Sequence, residues 1–110
     1  MLYRPITRNK EFARAYARGK AFVHPKLVLY VMKNRLGHTR VGITATKKIG
    51  NAVHRNRARR VIRAALYQTL PYDVGGLDLV FVARGQTTRC KSGEVQKAAE
   101  QLLKNAGLVR

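Results

Sequence analysis

The amino-acid sequence predicts an α+β fold, a two-layer α-β sandwich with its elements in the order α-β-β-(β)-α-β-α. Segments with helical periodicity alternate with short extended segments. The chain has 110 residues, 45% of them hydrophobic, which suits one domain (1–110) that removes roughly 65% of its unfolded surface from water. The formal net charge is +18. A folded surface must carry this charge, because a disordered chain would be poor in Val, Leu and Ile.

The first predicted helix is capped by Asn9 and ends at Gly19. Glu11 lies in its first turn, where the helix dipole favours negative charge. Phe12 and Tyr16 are four residues apart, so both rings lie on one face of the helix. Taken by themselves, aromatic rings at this spacing usually pack into a core, which is the ordinary interpretation of the pair.

Extended segments follow this helix. Residues 26–33 are apolar on both faces, as is typical of a central strand. Residues 40–46 alternate between larger apolar and smaller or polar side chains, which predicts a strand. We expect these two segments to pair as a hairpin through a turn at residues 34–39. A short additional strand is expected near residues 21–23.

The second half of the chain predicts two helices around one strand. The pattern breaks at residues 50–51, and a helix is predicted over Ala52–Thr69. Residues 78–83 are predicted to form a further strand. The last helix is capped by Ser92, keeps a continuous apolar face and closes at Gly107.

The helix over Ala52–Thr69 has two chemically different faces. At about 100° per residue, one arc is apolar and predicts the side that faces the core; its members are Ala58, Val61, Ile62, Ala65 and Leu66. The opposite arc consists of Asn56, Arg59, Arg60 and Arg63, with Arg55 and Arg57 on its borders. Like charges at these spacings repel by about 0.2 to 0.5 kcal/mol per pair, so the arrangement favours an anionic partner.

This arginine-rich face has two interpretations. A run of charge is ordinarily a solvated face that keeps a small protein soluble. Mixed charges would serve solubility equally well, whereas this face uses Arg almost alone and residues 13–71 contain no acidic side chain. Arg presents a planar fork that grips phosphate oxygens and stacks on bases. We therefore expect a polyanion, RNA or DNA, as the partner.

Composition and spacing argue against several classes of protein. Cys90 is the single cysteine, so no internal disulfide is expected, and His24, His38 and His54 lack the spacing of metal ligands. No apolar run reaches the roughly 20 residues that span a bilayer. Residues 1–10 lack the apolar centre of a secretory signal. The sequence therefore predicts a cytoplasmic protein that does not bind membranes.

A specific motif lies around the start of the basic helix. Lys47-Lys48-Ile49-Gly50-Asn51-Ala52-Val53 is followed by Arg55-Asn56-Arg57 and Arg59-Arg60. With these residues the chain closely resembles the bacterial ribonuclease P protein subunit, and the agreement covers nearly the whole chain. Other matching positions are Phe12 and Tyr16 before Gly19-Lys20, then Val41-Gly42-Ile43 and residues 78–84.

The resemblance implies a fold and an assembly. It implies a βαβ unit around the basic helix with a left-handed crossover, as in the second domain of ribosomal protein S5, an exception to the usual right-handed rule. It also implies two RNA partners, the ribonuclease P catalytic RNA and precursor tRNA, whose 5′ leader the assembly removes. In that family the RNA and its bound Mg²⁺ perform the hydrolysis. No catalytic residue, no metal site and no required protein partner are therefore expected of this chain.

The resemblance also implies roles for individual residues. The leader-binding cleft is expected at Phe12, Tyr16, Tyr30, Lys47, Lys48 and Asn51. Contacts to the catalytic RNA are expected from Arg55, Asn56, Arg57, Arg59, Arg60 and Arg63. An aromatic ring can stack a base for roughly 1 to 3 kcal/mol with little sequence preference, which suits a cleft that accepts many leaders.

Two other functions fit a basic α-β chain. A ribosomal or RNA-chaperone-type protein would bind structured RNA with no part in cleavage. A helix-turn-helix module would place the arginine helix in a DNA major groove, but the short second helix that this motif requires is missing from the sequence. The motif at residues 47–57 favours the ribonuclease P interpretation over both.

Overall fold

In the computed structural model, a mixed five-stranded sheet packs between helices. The structure describes residues 4–69, 74–85, 87 and 91–108, apart from the side chains of residues 47, 67 and 92. The strands are β1 (Arg4–Pro5), β2 (Lys20–His24), β3 (Leu27–Lys33), β4 (Arg40–Thr44) and β5 (Leu77–Ala83). The helices are α1 (Asn9–Arg18), α2 (Ala52–Thr69) and α3 (Ser92–Asn105), and a 3-10 turn at Lys47–Ile49 precedes α2.

The predicted α+β class is confirmed. Each predicted helix and strand is present with bounds that differ by no more than about two residues, as is usual at element ends. The additional strand expected near residues 21–23 is β2. The structure adds β1, a pair of residues too short to show any periodicity in the sequence.

Both predicted N-caps are wrong by one residue. Arg8 holds the cap position of α1, and Asn9 is the first helical residue. Lys91 likewise precedes α3, which begins at Ser92. Neither cap residue makes a side-chain hydrogen bond to the helix end. These two helices therefore depend on the packing of their apolar faces more than on capping.

The expected hairpin between β3 and β4 is wrong. The strand order is β1-β4-β5-β3-β2, so β5 lies between the two strands, antiparallel to β3 and parallel to β4. Strands adjacent in sequence often pair, but here the largely buried β5 takes the central position, where both of its faces are covered. The βαβ unit β4-α2-β5 around the basic helix is present with parallel strands; the left hand of its crossover stays an implication of the resemblance.

Different helices cover the two faces of the sheet. On one face, side chains such as Leu29, Val41 and Phe81 form the main core with α2 and α3. On the other face, Val80 packs against Ala15 of α1. The second layer of the predicted sandwich is therefore α2 with α3, and α1 crosses the opposite face as an additional, partial cover.

Candidate nucleic-acid interface

The helix α1 presents two different flanks above the sheet. Ala15 is fully buried at the contact with the sheet. At about 100° per residue, Phe12 and Tyr16 project to one side of that contact, whereas Arg14 and Arg18 project to the other. One flank of α1 is thus aromatic and the other is cationic.

The aromatic cleft is the site formed by Phe12, Tyr16 and Tyr30 at the aromatic flank of α1. The rings of Tyr16 and Tyr30 meet edge to face, with centroids 5.1 Å apart and planes at 68°. Tyr16 is 42% exposed, whereas Phe12 and Tyr30 are partly buried. The structure therefore brings the three predicted aromatic residues together, and a pure core role does not describe Tyr16.

Gly42 allows Phe12 to lie close to the sheet. A Cβ atom on Gly42 would be 2.6 Å from Cε1 and 3.0 Å from Cζ of the Phe12 ring. The same Cβ would be 3.1 Å from Cβ of Ile6. Any larger residue here must displace the ring or the strand, at a free-energy cost of overpacking of about 1 to 3 kcal/mol. Glycine at this position thus sets the depth of one wall of the cleft.

The floor of the aromatic cleft is a row of side chains that the sequence pattern did not reveal. The strand register aligns Val23, Val28, Val82 and Thr44 across four neighbouring strands. Val23 is 66% exposed, and the other three are partly buried. Alternation along each strand shows which side chains share a face. Which face stays open depends on where α1 lies, and the local sequence does not contain that information.

The hydroxyl of Tyr16 links α1 to the far side of the cleft. Burial raises the pKa of this hydroxyl above its usual value, and a side-chain hydrogen bond with Thr44 offsets the increase only in part. Tyr16 therefore stays neutral near neutral pH. It offers a stacking surface and a hydroxyl without bringing negative charge to a surface that would receive RNA.

The predicted polar residues of the cleft follow β4 in the chain. Lys48 is exposed in the 3-10 turn; Lys47 lies in the same turn, but its side chain is outside the described part of the structure. Oδ1 of Asn51 accepts a hydrogen bond from the backbone N–H of His54 at 3.1 Å. Asn51 is thus the N-cap of α2, a role that the sequence analysis did not assign to it.

The arginine strip comprises Arg55, Asn56, Arg57, Arg59, Arg60 and Arg63 on α2. Together with Val53, four of these residues line one shallow groove of about 490 Å³, namely Asn56, Arg59, Arg60 and Arg63. Arg55 is partly buried at the border nearer the core, and Arg57 is exposed. The structure therefore brings most of the predicted strip together and keeps two arginines at its borders.

Asn56 and Val53 shape the surface of the arginine strip. Nη1 of Arg59 donates a hydrogen bond to Oδ1 of Asn56 at 3.0 Å, which orients the guanidinium group. Val53 is 70% exposed beside these cations. An exposed apolar side chain between cations gives the groove a surface for sugar or base as well as for phosphate.

Arg40 ties α1 to the sheet through two carboxylates. Its Nε and Nη2 donate to Oδ1 and Oδ2 of Asp78 at 2.9 and 2.7 Å, and Nη1 donates to Glu11. The hydrogen bond from Arg40 lowers the pKa of Glu11. Burial alone would raise the pKa of Asp78, but hydrogen bonds from Arg40 and Asn34 hold it below its usual value. Both carboxylates therefore stay ionised and paired.

The carboxylates that form salt bridges within the described residues pair with cations outside the arginine strip. The first turn of α2 contains no acidic residue. Glu11 and Asp78 pair with Arg40, and Glu94 of α3 lies 4.0 Å from Nζ of Lys26. The positive end of the α2 dipole adds to the field of the strip. Within the described residues, this surface has no carboxylate in a salt bridge with it.

Two further properties concern metals and membranes. Among the residues that the structure describes, no three His, Cys, Asp or Glu side chains are grouped to hold a metal ion. No helix within those residues combines the length and the apolar character needed to cross a membrane. Cys90 lies outside the described residues.

The fold and these surfaces define a class, a small basic α+β protein with the surface chemistry of a nucleic-acid-binding protein. A sequence model of the family described as Ribonuclease P matches residues 3–107. The chain belongs to the ribonuclease P protein family, and its role is that of the protein subunit in tRNA 5′ processing. The resemblance seen in the sequence is confirmed.

Relatives and solved structures agree with this membership. The chain is 40% identical over 115 residues to the ribonuclease P protein component of Clostridium beijerinckii, with 98% of this chain and 91% of the relative covered. The structure of the Staphylococcus aureus RNase P protein matches with a TM-score of 0.83 at 30% identity, covering 96% of this chain and 97% of that one. The Thermotoga maritima protein has a TM-score of 0.77 at 24% identity over 92% and 96% of the two chains, and it supports the fold alone.

Proposed function

We propose that the arginine strip binds the ribonuclease P RNA while the aromatic cleft binds the single-stranded 5′ leader of precursor tRNA. The observation that carries this proposal is the separation of the two surfaces. α2 packs on one face of the sheet with its arginines turned outward, and the aromatic cleft lies on the other face. One small protein can therefore contact two RNA segments at the same time.

The chemistry of the aromatic cleft fits a single strand of variable sequence. Tyr16 exposes a ring edge-on to Tyr30, and the floor beneath is made of valine side chains with Thr44. Apolar and aromatic surfaces contact every base through its flat face, so such a site has little sequence preference. Lys48 and the start of α2 follow β4, where backbone N–H groups and cations favour phosphate.

The arginine strip fits a structured RNA. Its guanidinium groups offer forked donors to phosphate oxygens. The amide of Asn56 can in addition donate to phosphate or a 2′-hydroxyl, while its oxygen holds Arg59. Such contacts fix the position of an RNA backbone more than they read its bases.

We place hydrolysis and Mg²⁺ on the RNA subunit. Phosphate oxygens are the hard ligands that Mg²⁺ prefers. Two carboxylates of the described residues, the partly buried Glu11 and the buried Asp78, are already bound by Arg40. The chain thus contributes binding and orientation, and we expect the assembly to act on precursor tRNA in the cytoplasm.

The strip is tested by Arg60→Gln in the reconstituted holoenzyme. We expect weaker binding of the ribonuclease P RNA, and a plot of log affinity against log salt whose slope falls by about 0.7 to 0.9, because one phosphate contact is lost. Lys97→Gln removes the same charge from the exposed side of α3 and is the control. Filter-binding titrations at several salt concentrations measure both variants. Equal slopes for wild type and Arg60→Gln would contradict the assignment.

The cleft is tested by Tyr16→Ala and the conservative Tyr16→Phe. Tyr16→Ala should lose roughly 1 to 3 kcal/mol of affinity for precursor tRNA, the value of one stacked base, and lose nothing for mature tRNA without a leader. Tyr16→Phe keeps the ring and should retain most of the affinity. If the wild-type chain alters neither precursor affinity nor the Mg²⁺ requirement of the RNA, the protein acts as a structural RNA-binding protein only.

A further inference from the structure

A second basic surface lies on the cationic flank of α1, away from both proposed RNA sites. The basic groove runs between α1 and the end of β3 and holds about 640 Å³, within the usual range for ligand sites. Its lining includes Arg14, Arg18, Met32, Lys33, Arg35 and Leu36. Two arginines stand on the helix wall, and Lys33 and Arg35 stand on the wall made by β3 and the following turn.

The two acidic side chains on the floor of the basic groove form salt bridges within the floor itself. Arg40 binds both Glu11 and Asp78, so the two negative charges are reduced to a net −1 by its single positive charge. The four cations of the walls are then in excess by three. Within the described residues, none of these four forms a salt bridge. The groove therefore keeps a net positive charge after both of its carboxylates are counted.

The residues that line the basic groove suit a single-stranded nucleic acid. Its cations come from two elements, α1 and the end of β3 with the following turn, so a flexible phosphate backbone lying in the groove can be contacted from both. Met32 and Leu36 add apolar surface against which a ribose or base can lie. The carboxylates of an acidic peptide would suit the forked donors of Arg equally well, so what favours a nucleic-acid strand is the position of the groove beside the aromatic cleft.

The position of the basic groove indicates which RNA segment it would bind. It lies on the same face of the sheet as the aromatic cleft, across α1, whereas the arginine strip lies beyond the opposite face. The outer side of α1 between cleft and groove carries the small exposed residues Ala13 and Ala17. An RNA strand can cross α1 there over the methyl groups of these two alanines.

We infer that the basic groove binds the upstream continuation of the precursor tRNA leader after it leaves the aromatic cleft. This inference rests on the proposed function of the cleft. It gives the protein a second subsite for long leaders, which binds phosphates without reading bases. A leader that fills only the cleft does not reach it.

The test compares leaders of two lengths on the reconstituted holoenzyme. One precursor carries about 5 leader nucleotides and the other about 15, spanning the usual range of single-strand site sizes. The wild type should bind the long leader about tenfold more tightly, since several phosphate contacts are added. Arg14→Gln/Arg18→Gln should lose most of this ratio, and its salt slope for the long leader should fall by about 1.4, or 0.7 for each contact. Lys97→Gln/Lys104→Gln, with equal charge loss on α3, should keep the ratio.

Other outcomes decide against the inference. A wild type without a length effect overturns it, and so does an Arg14→Gln/Arg18→Gln variant that keeps the wild-type ratio. Weaker binding of both leaders by the same factor, or of the ribonuclease P RNA itself, would place a different RNA segment in the groove. Lys33→Gln/Arg35→Gln on the facing wall repeats the test if the first variant melts at a lower temperature. If the aromatic cleft does not bind the leader, Tyr16→Ala will bind the precursor with the short leader as tightly as the wild type does. That result is distinct from a failure of the basic groove.

Discussion

At the scale of single residues, Arg40 holds α1, the helix that carries two of the three rings of the aromatic cleft. Its side chain is 15% exposed, and those of Glu11 and Asp78 are 17% and 2% exposed. In such a partly buried cluster, removing one member leaves the others with unpaired charge, which is more destabilising than the pair is stabilising. The orientation of Phe12 and Tyr16 thus depends on ion pairs that lie outside the aromatic cleft.

This cluster predicts how the stability of the protein responds to acid. The pKa values of Glu11 and Asp78 are lowered in the folded state, so below their unfolded values near pH 4 the unfolded chain binds more protons. The free energy of unfolding therefore falls as the pH drops from about 5 through the lowered folded pKa values. Glu11→Gln should be less stable at pH 7 and should lose less on acidification. Urea unfolding across pH 2 to 7, about the range that matters for carboxylates, measures this.

The control for this experiment is Glu94→Gln. Glu94 is exposed and lies 4.0 Å from Lys26, and an exposed pair of this kind contributes little to stability. Its acid response should follow that of the wild type. If Glu11→Gln shows the same acid response as well, the bond to Arg40 does not stabilise the folded state.

Residues of the candidate site differ in how far the sequence predicted them. Spacing placed Phe12 and Tyr16 on one face of a helix, because helical periodicity is local. Tyr30 joined them only through the family resemblance. Val23 and Val82 of the floor were missed, because their alignment depends on the pairing of strands distant in sequence.

At the scale of elements, the sequence predicted correctly what a local pattern specifies and wrongly what depends on the pairing of distant segments. α2 has the predicted bounds Ala52–Thr69, since its apolar arc, with Ala58 and Ile62 fully buried, is written in consecutive turns. The pairing of β3 with β4 was wrong, because a strand pattern specifies a face and not a neighbour. β5, which follows α2 in the chain, separates these strands.

The start of α2 predicts two separable effects at Asn51. Asn51→Ala should destabilise the protein by about 1 kcal/mol, because the cap to the backbone N–H of His54 is lost. Asn51→Ser keeps a capping oxygen and should retain nearly full stability. If the amide group also donates to the leader, as we propose for the cleft, Asn51→Ser should still bind precursor tRNA more weakly. Thermal unfolding and precursor titrations on the same samples measure the two effects. If Asn51→Ser binds precursor tRNA as tightly as the wild type, Asn51 acts only as the N-cap of α2.

At the scale of the whole molecule, charge is distributed unevenly over the fold. The chain has a formal net charge of +18 with only five acidic residues. Two of these lie in the cluster around Arg40, and Glu94 and Glu100 lie on α3. The arginine strip on α2 therefore adds repulsion that the fold must overcome with its core, and that an RNA partner relieves.

This repulsion predicts that anions stabilise the free protein through the arginine strip. Salt should raise the melting temperature, and sulfate should raise it more than chloride at equal ionic strength, because a doubly charged anion can bridge neighbouring guanidinium groups. A gain of about 1 kcal/mol corresponds to roughly 4 °C for a domain of this size. Arg57→Gln/Arg60→Gln should lose most of the difference between sulfate and chloride, whereas Lys97→Gln/Lys104→Gln removes the same charge from α3 and should keep it. Sulfate also strengthens the hydrophobic effect in any protein, so an equal response of both variants would show that the extra gain has nothing to do with the strip.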